Sequence, residues 1–362
     1  MCLNLQKTDE FEVLNFATPA GHVKWLDLWN SWSGHEVFAH PHYVKLFAGP
    51  FDQIMCATAL TGNGGILYPF ILRPLSTEPW FNASDNLWDL STPYGYGGAF
   101  AWSITDRDCL VFWRNMEKWV GEHRVVSSFA RLSLFPDQII PFHGEVELKA
   151  PNVVRTLDLD EENLWRDYAH KVRKNVNRAR REGITIELAE NGNRLEDFLR
   201  IYLSTMDRRG ASRGYYFPRD FFYGIIEELK GQFAFFHALK SGVVVSTELV
   251  LISANHVYSF LGGTQLEAFE CRPNDLIKHE IIEWSRKIGK KAFVLGGGYE
   301  VRDGIFLYKL SFAPRGERPF CVGTKIHDSE AYEKLLLLRR NWELSMGKLW
   351  NPKPGYFPIY RA

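Results

Sequence analysis

Apolar residues recur every three or four positions in some stretches of this chain and alternate or run together in others. The two patterns follow one another in an order that is used twice. In the second half, Val153–Leu159 reads as a strand and Asp160 as the cap of a long helix. That helix carries Leu164, Tyr168, Val172, Val176 and Ala179 on one stripe and is stopped by Gly183. A short strand, Ile184–Leu188, follows. A second helix buries Leu195, Phe198, Leu199, Tyr202 and Met206, and a third starts near Pro218 with Phe221, Phe222, Ile225, Ile226 and Leu229 inward. Phe233–Leu239 and Val243–Ile252 form a hairpin about Lys240-Ser241-Gly242, and Ser253-Ala254-Asn255 turns into the strand His256–Phe260. A helix from Asp275 to Ile288 ends at Gly289 before the strand Ala292–Leu295 and Gly296-Gly297-Gly298.

The first half repeats this order with negligible sequence identity, so the repeat is one of element order. Helical stretches at Val23–Trp32 and Pro41–Phe47 precede strands Gln53–Leu60 and Ile66–Leu72, joined by Thr61-Gly62-Asn63-Gly64-Gly65. Leu87–Leu90 is a third strand, Asp106–Glu122 a long helix, and Ser128–Phe135 closes the unit. The pattern predicts domains at 1–150 and 151–329, a linker at Lys149–Asn152, and a helical then proline-rich tail, 330–362, that packs back on the first domain. A unit of this order, helix–helix–strands–helix–strand, is that of an acyl-transferring fold, and two copies place a cleft between them.

Composition narrows the class. The 362 residues are 46% hydrophobic and 15% aromatic, which suits two buried cores rather than disorder. Lys+Arg 43 balances Asp+Glu 43, so contact with nucleic acid requires a local patch. Cys2, Cys56, Cys109, Cys271 and Cys321 are scattered, as reduced thiols in a cytoplasm are. The start, Met1–Val13, lacks the apolar core of a signal peptide, and no apolar run is long enough to span a bilayer, so the expectation is a cytoplasmic protein. No P-loop, no Gly-x-Gly-x-x-Gly after a strand and no Gly-x-Ser-x-Gly occurs, against kinases, dehydrogenases and serine hydrolases. His40-Pro41-His42 has no spaced third ligand, so no metal is expected.

Amide formation by acyl transfer needs an amine brought to a carbonyl, an acceptor for its proton and a donor for the oxyanion. Lys171, Arg173, Lys174, Arg178, Arg180 and Arg181 crowd one helix with no acidic residue among them until Glu182. Two readings stay open: a solvated helix end, or a phosphate contact to a nucleotide or to RNA. Three glycines at 296–298 suit close backbone approach or an ordinary strand exit, and Lys309 suits an oxyanion or phosphate contact or simple exposure on a strand. The loop Ser91-Thr92-Pro93-Tyr94-Gly95-Tyr96-Gly97-Gly98 suits sugar or peptide recognition, or a structural Ω-loop.

Three motifs together carry a resemblance. They are Val172-Arg173-Lys174-Asn175-Val176-Asn177-Arg178-Ala179-Arg180-Arg181-Glu182-Gly183; Tyr202 to Arg208 with Ala211 and Tyr215-Tyr216-Phe217; and Gly296-Gly297-Gly298 leading to Tyr308-Lys309-Leu310-Ser311-Phe312. With the Pro93–Gly98 loop, they make the chain resemble the Fem-type peptidoglycan bridge transferases and related tandem GNAT-fold, FemAB-like acyltransferases of the cell envelope. The resemblance implies an α/β (α+β) fold of two tandem GNAT-like domains, each a mixed, mostly antiparallel sheet flanked by helices, with a cleft between them. It implies a donor bound in the second domain, an acceptor in the cleft, and Lys309 at the position of the family's functional lysine. Two departures stand out. The helical hairpin arm of some Fem-type enzymes is missing, and Glu270-Cys271-Arg272-Pro273-Asn274-Asp275 occupies the place of the coenzyme A fingerprint.

The expectation is an N-acyltransferase forming an amide on an amino group of an envelope glycan or peptide precursor. Aminoacyl-tRNA, through the 171–181 helix, is favoured over acyl-coenzyme A as donor, with no tightly bound cofactor. Rival readings are an acetyl-coenzyme A-dependent amino-sugar N-acetyltransferase of polysaccharide biosynthesis, and a non-catalytic carbohydrate- or RNA-binding module. No DNA partner and no transmembrane segment is expected, while contact with a membrane surface is allowed. The candidate catalytic residues are Lys309 for the oxyanion and Asp303 or Glu248 for the amine proton. Arg173, Lys174, Arg178, Arg272 and Asn274 are candidates for the donor phosphates. Tyr94, Tyr96, Tyr215, Tyr216 and Tyr308 are candidates for the acceptor.

Overall fold

The computed structural model describes residues 10–62, 64–81 and 85–362. Cys2, the residues before Glu10 and Asn63 of the first hairpin turn lie outside the described residues. In chain order the elements are β1 (Glu10–Asn15), α1 (Pro19–Ser31), α2 (Pro41–Lys45), β2 (Gln53–Thr61), β3 (Gly64–Pro74), β4 (Trp88–Ser91), β5 (Phe100–Trp102), α3 (Asp106–Glu122) and β6 (Val125–Arg131). There follow β7 (Glu145–Thr156), α4 (Glu161–Asp167), α5 (His170–Arg181), β8 (Ile184–Ala189), α6 (Leu195–Arg209), α7 (Arg219–Glu228), β9 (Phe233–Lys240), β10 (Val243–Ile252) and β11 (His256–Thr264). The last are α8 (Pro273–Lys287), β12 (Ala292–Gly297), α9 (Gly304–Leu310), β13 (Glu317–Ile326) and α10 (Ser329–Ser345).

The chain forms two compact units. The first holds residues 10–32, Phe38–Lys149 and Phe320–Ala362; the second holds Ser33–Val37 and Ala150–Pro319. Strand order in the first is β1-β2-β3-β4-β6-β13, with β5 also on β3; in the second it is β8-β9-β10-β11-β12-β7. Within each order one pair, β4 with β6 and β11 with β12, is parallel and the others are antiparallel. The helix that makes each parallel crossover, α3 or α8, lies against the sheet and fills its core. Phe112, Met116 and Val120 meet Tyr68 and Phe70 in the first unit, and Ile277, Ile281 and Ile282 meet Phe236 and Phe293 in the second. The duplication is thus one of topology, and each unit has the mixed, mostly antiparallel sheet that the resemblance implies.

The chain completes each unit with a strand supplied after it has left the other. It runs from β6 into β7, which edges the second unit, and from β12 and α9 into β13, which edges the first. Sequence reading missed β13. It also took Lys309 for a strand residue, whereas Lys309 lies on the short helix α9. The single helix expected from Asp160 to Gly183 is two. Tyr168 and Ala169 are extended (ψ 145° and 144°), so the helix breaks there while the predicted stripe stays buried. The N–H of Ala169 leaves the helical ladder to donate to the Ser311 carbonyl at 2.9 Å. The tail, α10 and the turn Ile359–Arg361, buries Tyr332, Leu335 and Tyr360 against Leu75, Trp80, Phe81 and Val126 of its own unit.

Candidate active site

In the second unit the parallel strands β11 and β12 pair only through His256, Val257 and Tyr258 on one side and Ala292, Phe293 and Val294 on the other. Both strands then lose register. β11 carries an extra residue against β10, where Leu249 faces Leu261 and Val250 faces Ser259, and β12 carries one against β7 at Leu295. A bulge bends its strand, and Gly296 adds a backbone φ of 84° that a side chain would strain. The result is an opening between the two strands, beside the N-terminal end of α8.

α9 places the candidate lysine there. Asp303 caps this helix: one carboxylate oxygen accepts from the Phe306 N–H at 2.8 Å, the other from the N–H groups of Tyr299 (2.7 Å) and Glu300 (3.2 Å). A Cβ on Gly298 would stand 2.2 Å from that carboxylate, so glycine is required for the cap to close. Phe306 and Phe312 anchor α9 in the core, and the half-buried Lys309 turns its Nζ to the carbonyl of Gly297 on β12, 2.6 Å away. Burial away from water, and then the neighbouring ammonium of Lys278, push the Lys309 pKa down to about 7, against the opposing pull of Glu248 and Asp303.

Lys278 is the residue sequence reading overlooked. It sits on the buried face of α8, one turn from Ile281 and Ile282, where a cation on an apolar stripe was the available signal. Its ammonium bonds Glu248 of β10 and the Ser259 hydroxyl of β11 (2.9 Å) and lies over the Phe293 ring. One lysine therefore stands on each side of the opening. Beside them, the Tyr308 hydroxyl accepts from Asn274 of α8 at 2.9 Å, and burial raises its pKa well above the usual phenol value. Asp275, also buried, accepts from Asn175 of α5 at 3.0 Å, and burial holds its carboxyl above the usual range. Lys309, Glu248, Asn274 and Tyr308 thus come together in one cluster of the second unit.

Other expected residues have different work. Asp303 serves as a cap: hydrogen bonds from backbone amides, that of Phe306 foremost, hold its carboxyl below the usual range and use both oxygens. Arg173, expected at a donor phosphate, is held within its own helix pair. Its guanidinium bonds the carbonyls of Arg166 (2.9 Å) and Tyr168, which the break between α4 and α5 leaves without helical partners. The basic helix is also not free of acids, because Arg178 faces Glu270 at 4.0 Å and Arg180 faces Glu280 at 3.2 Å. These partners lie on elements distant in sequence, which is why the local run hid them. Lys174 and Arg272 are exposed, and Arg272 takes a left-handed conformation (φ 57°) that leads into α8. Tyr216 donates to Asp207 at 3.0 Å, and the Tyr215 carbonyl accepts from the hydroxyl of Tyr202.

In the first unit, the Tyr94 ring lies under the Arg131 guanidinium at 5.2 Å, and its carbonyl accepts from Tyr43 at 2.8 Å. Tyr96 packs edge-on against Phe38 and Phe320, and burial raises its pKa. Among the described residues no group of three or more His, Cys, Asp or Glu side chains is placed to hold a metal ion. Among them, too, no helix is long and apolar enough to cross a membrane.

Comparison with known proteins places this geometry. Residues 166–309 match the family described as an acetyltransferase (GNAT) domain. No curated protein matches the sequence. Among solved structures the chain is similar to FemX at 11% identity, with 89% of this chain and 99% of that one covered and a TM-score of 0.63. It is also similar to L-PGS from Bacillus licheniformis at 12% identity, with 89% and 96% covered and a TM-score of 0.54. At these identities the likeness is one of fold, the fold of FemX and L-PGS.

Proposed function

We propose that this chain, an acyltransferase of the GNAT type with a Fem-like tandem fold, forms an amide on an amino group of a cell-envelope glycan or peptide precursor. The carrying observation is Lys309, a lysine with a pKa of about 7 set at the opening of β11 and β12. A neutral amine attacks the acyl carbon, and the carbonyl oxygen becomes an anion. The Lys309 ammonium, released from the Gly297 carbonyl, donates to that anion. Of the two carboxylates considered for the amine proton, Asp303 accepts with both oxygens at its cap, whereas Glu248 bonds Lys278 through one oxygen, and we favour Glu248. Collapse of the intermediate expels the donor's oxygen or sulfur, which takes up the proton that Glu248 accepted from the amine.

For the donor we favour an aminoacyl ester of tRNA. The supporting observation is the N-terminus of α8, the natural place for a pyrophosphate. Proline 273 offers no N–H there, and Asp275 sets a carboxylate beside it. Lys174, Arg178 and Arg272 are the cations available to a donor phosphate, and Tyr94, Tyr96, Tyr215 and Tyr216 are proposed for the acceptor. The acetyltransferase-domain match favours acyl-coenzyme A as the second reading. The test supplies each donor in turn with amine-bearing precursors and reads the product mass. A gain of one aminoacyl unit from tRNA supports the first reading; a gain of one acyl unit from coenzyme A moves the donor to the second. An unchanged mass with tight binding would make the protein a binding module, and full turnover by Lys309→Ala would remove the role given to Lys309.

A further inference from the structure

α10 buries Tyr332 and Leu335 in the first unit and turns another face to water. On that face Leu337 and Leu344 are 57% and 51% exposed, and the chain beyond adds Met346 at 59% and Leu349 at 88%. Spacings of three and four put Glu333, Leu337, Arg340 and Leu344 on one side of the helix, with the acid at the end away from Met346 and Leu349. The segment is held in place. Gly347, at φ 72°, closes the helix by donating to Leu344 at 3.0 Å, Lys348 donates to Glu343 at 2.9 Å, and Trp350 reaches the carbonyl of Ala362 at 3.4 Å. Four large apolar side chains are therefore presented to solvent on a fixed backbone, a costly surface for a protein with nothing to cover it.

Charge indicates the partner. From Leu344 to Ala362 the sequence has no Asp or Glu. Glu343 is paired with Arg339, and Arg361 is consumed by Asp89 and Glu78. Arg340, Lys348 and Lys353 remain exposed, with no ion pair among the described residues. We propose that this face docks the protein on an anionic membrane surface, with the leucines and Met346 entering the headgroup boundary and the three cations facing lipid phosphates. A second copy of the chain is the poorer occupant, because a self-complementary contact would bring like cations together. The proposal goes beyond the acyl-transfer reading and uses none of its residues.

The test is sedimentation of the full chain with vesicles of phosphatidylcholine alone or mixed equally with phosphatidylglycerol. Expected are binding to the mixed vesicles that weakens at high salt and little binding to the neutral ones. Lys348→Ala should lower the partition about fivefold, and Leu344→Ser/Met346→Ser/Leu349→Ser should abolish it. Since these side chains are exposed, both variants should melt with the wild-type protein and acylate a soluble amine at its rate. Absence of wild-type binding to the mixed vesicles, or equal binding by the triple variant, would overturn the proposal. So would light scattering that shows a wild-type dimer made monomeric by the triple substitution.

Discussion

The two units share a strand order and differ at the one joint that matters. In the second, β11 and β12 part after Tyr258 and Val294, and lysines stand on both sides of the gap. In the first, the matching strands β4 and β6 pair through Ser91 and Phe129 and are then stitched further. Thr92 donates its N–H to Phe129 at 3.0 Å, Arg131 donates to the Thr92 hydroxyl at 2.9 Å, and Gly97 donates to the Arg131 carbonyl at 2.9 Å. Where the second unit holds a lysine with a lowered pKa, the first holds a fully buried Asp89 clamped between Arg73 and Arg361. One topology has been used once to open a sheet around titratable groups and once to seal it with fixed charge.

The largest expected effect tests the sealed unit. Asp89→Ala takes the shared carboxylate from between Arg73 and Arg361 and leaves Arg361 paired with Glu78. It should destabilise the protein by about 3–5 kcal/mol in urea unfolding. A loss under about 1 kcal/mol would mean that the clamp does not hold the unit. Next comes the open unit: Lys309→Ala should lower turnover about 100- to 1,000-fold with little change in stability, as loss of an oxyanion donor does. If the fall instead tracked a loss of folded protein, Lys309 would be structural.

The pH profile separates the units further. A Lys309 that must be charged loses function as pH climbs through about 7, while the acceptor amine gains it, so kcat/KM should rise and then fall. Lys309→Arg, if active, should lack the falling limb. The sign for stability is opposite. The folded pKa lies below that of the unfolded chain, so the burial cost is complete below pH 7 and is relieved toward pH 10, where the folded chain has already released the proton. A falling limb that persists in Lys309→Arg would assign it to another group.

Much of this was legible in the sequence, for local reasons. The β9/β10 hairpin rests on Ser241 and Gly242, both at positive φ, and α3 on a Thr105–Asp108 capping box; such signals sit within a few residues. β13 carries Glu317, Arg318 and Lys325 among its apolar residues and pairs with β6, far behind it in sequence, so no local pattern marks it. α9 is one short helix whose only sign was its cap, and Asp303 was read as a base instead. The break after α4 had no sign, because Ala169 has no side chain that can cap. Lys309 was singled out by motif, but its lowered pKa depends on burial and then on Lys278, which are facts of long-range packing.

The smallest test addresses the stitch itself. Thr92→Val keeps the volume and removes the oxygen that accepts from Arg131, leaving a backbone N–H without a partner in a buried place. That should cost about 1–3 kcal/mol. Because the Gly97 and Thr92 N–H bonds remain, β4 and β6 should stay paired, and the loss should appear as faster hydrogen exchange at the Arg131 amide with turnover unchanged. A change in turnover would mean that closure of the first unit is felt at the chemistry, and the two joints would then be coupled parts of one machine.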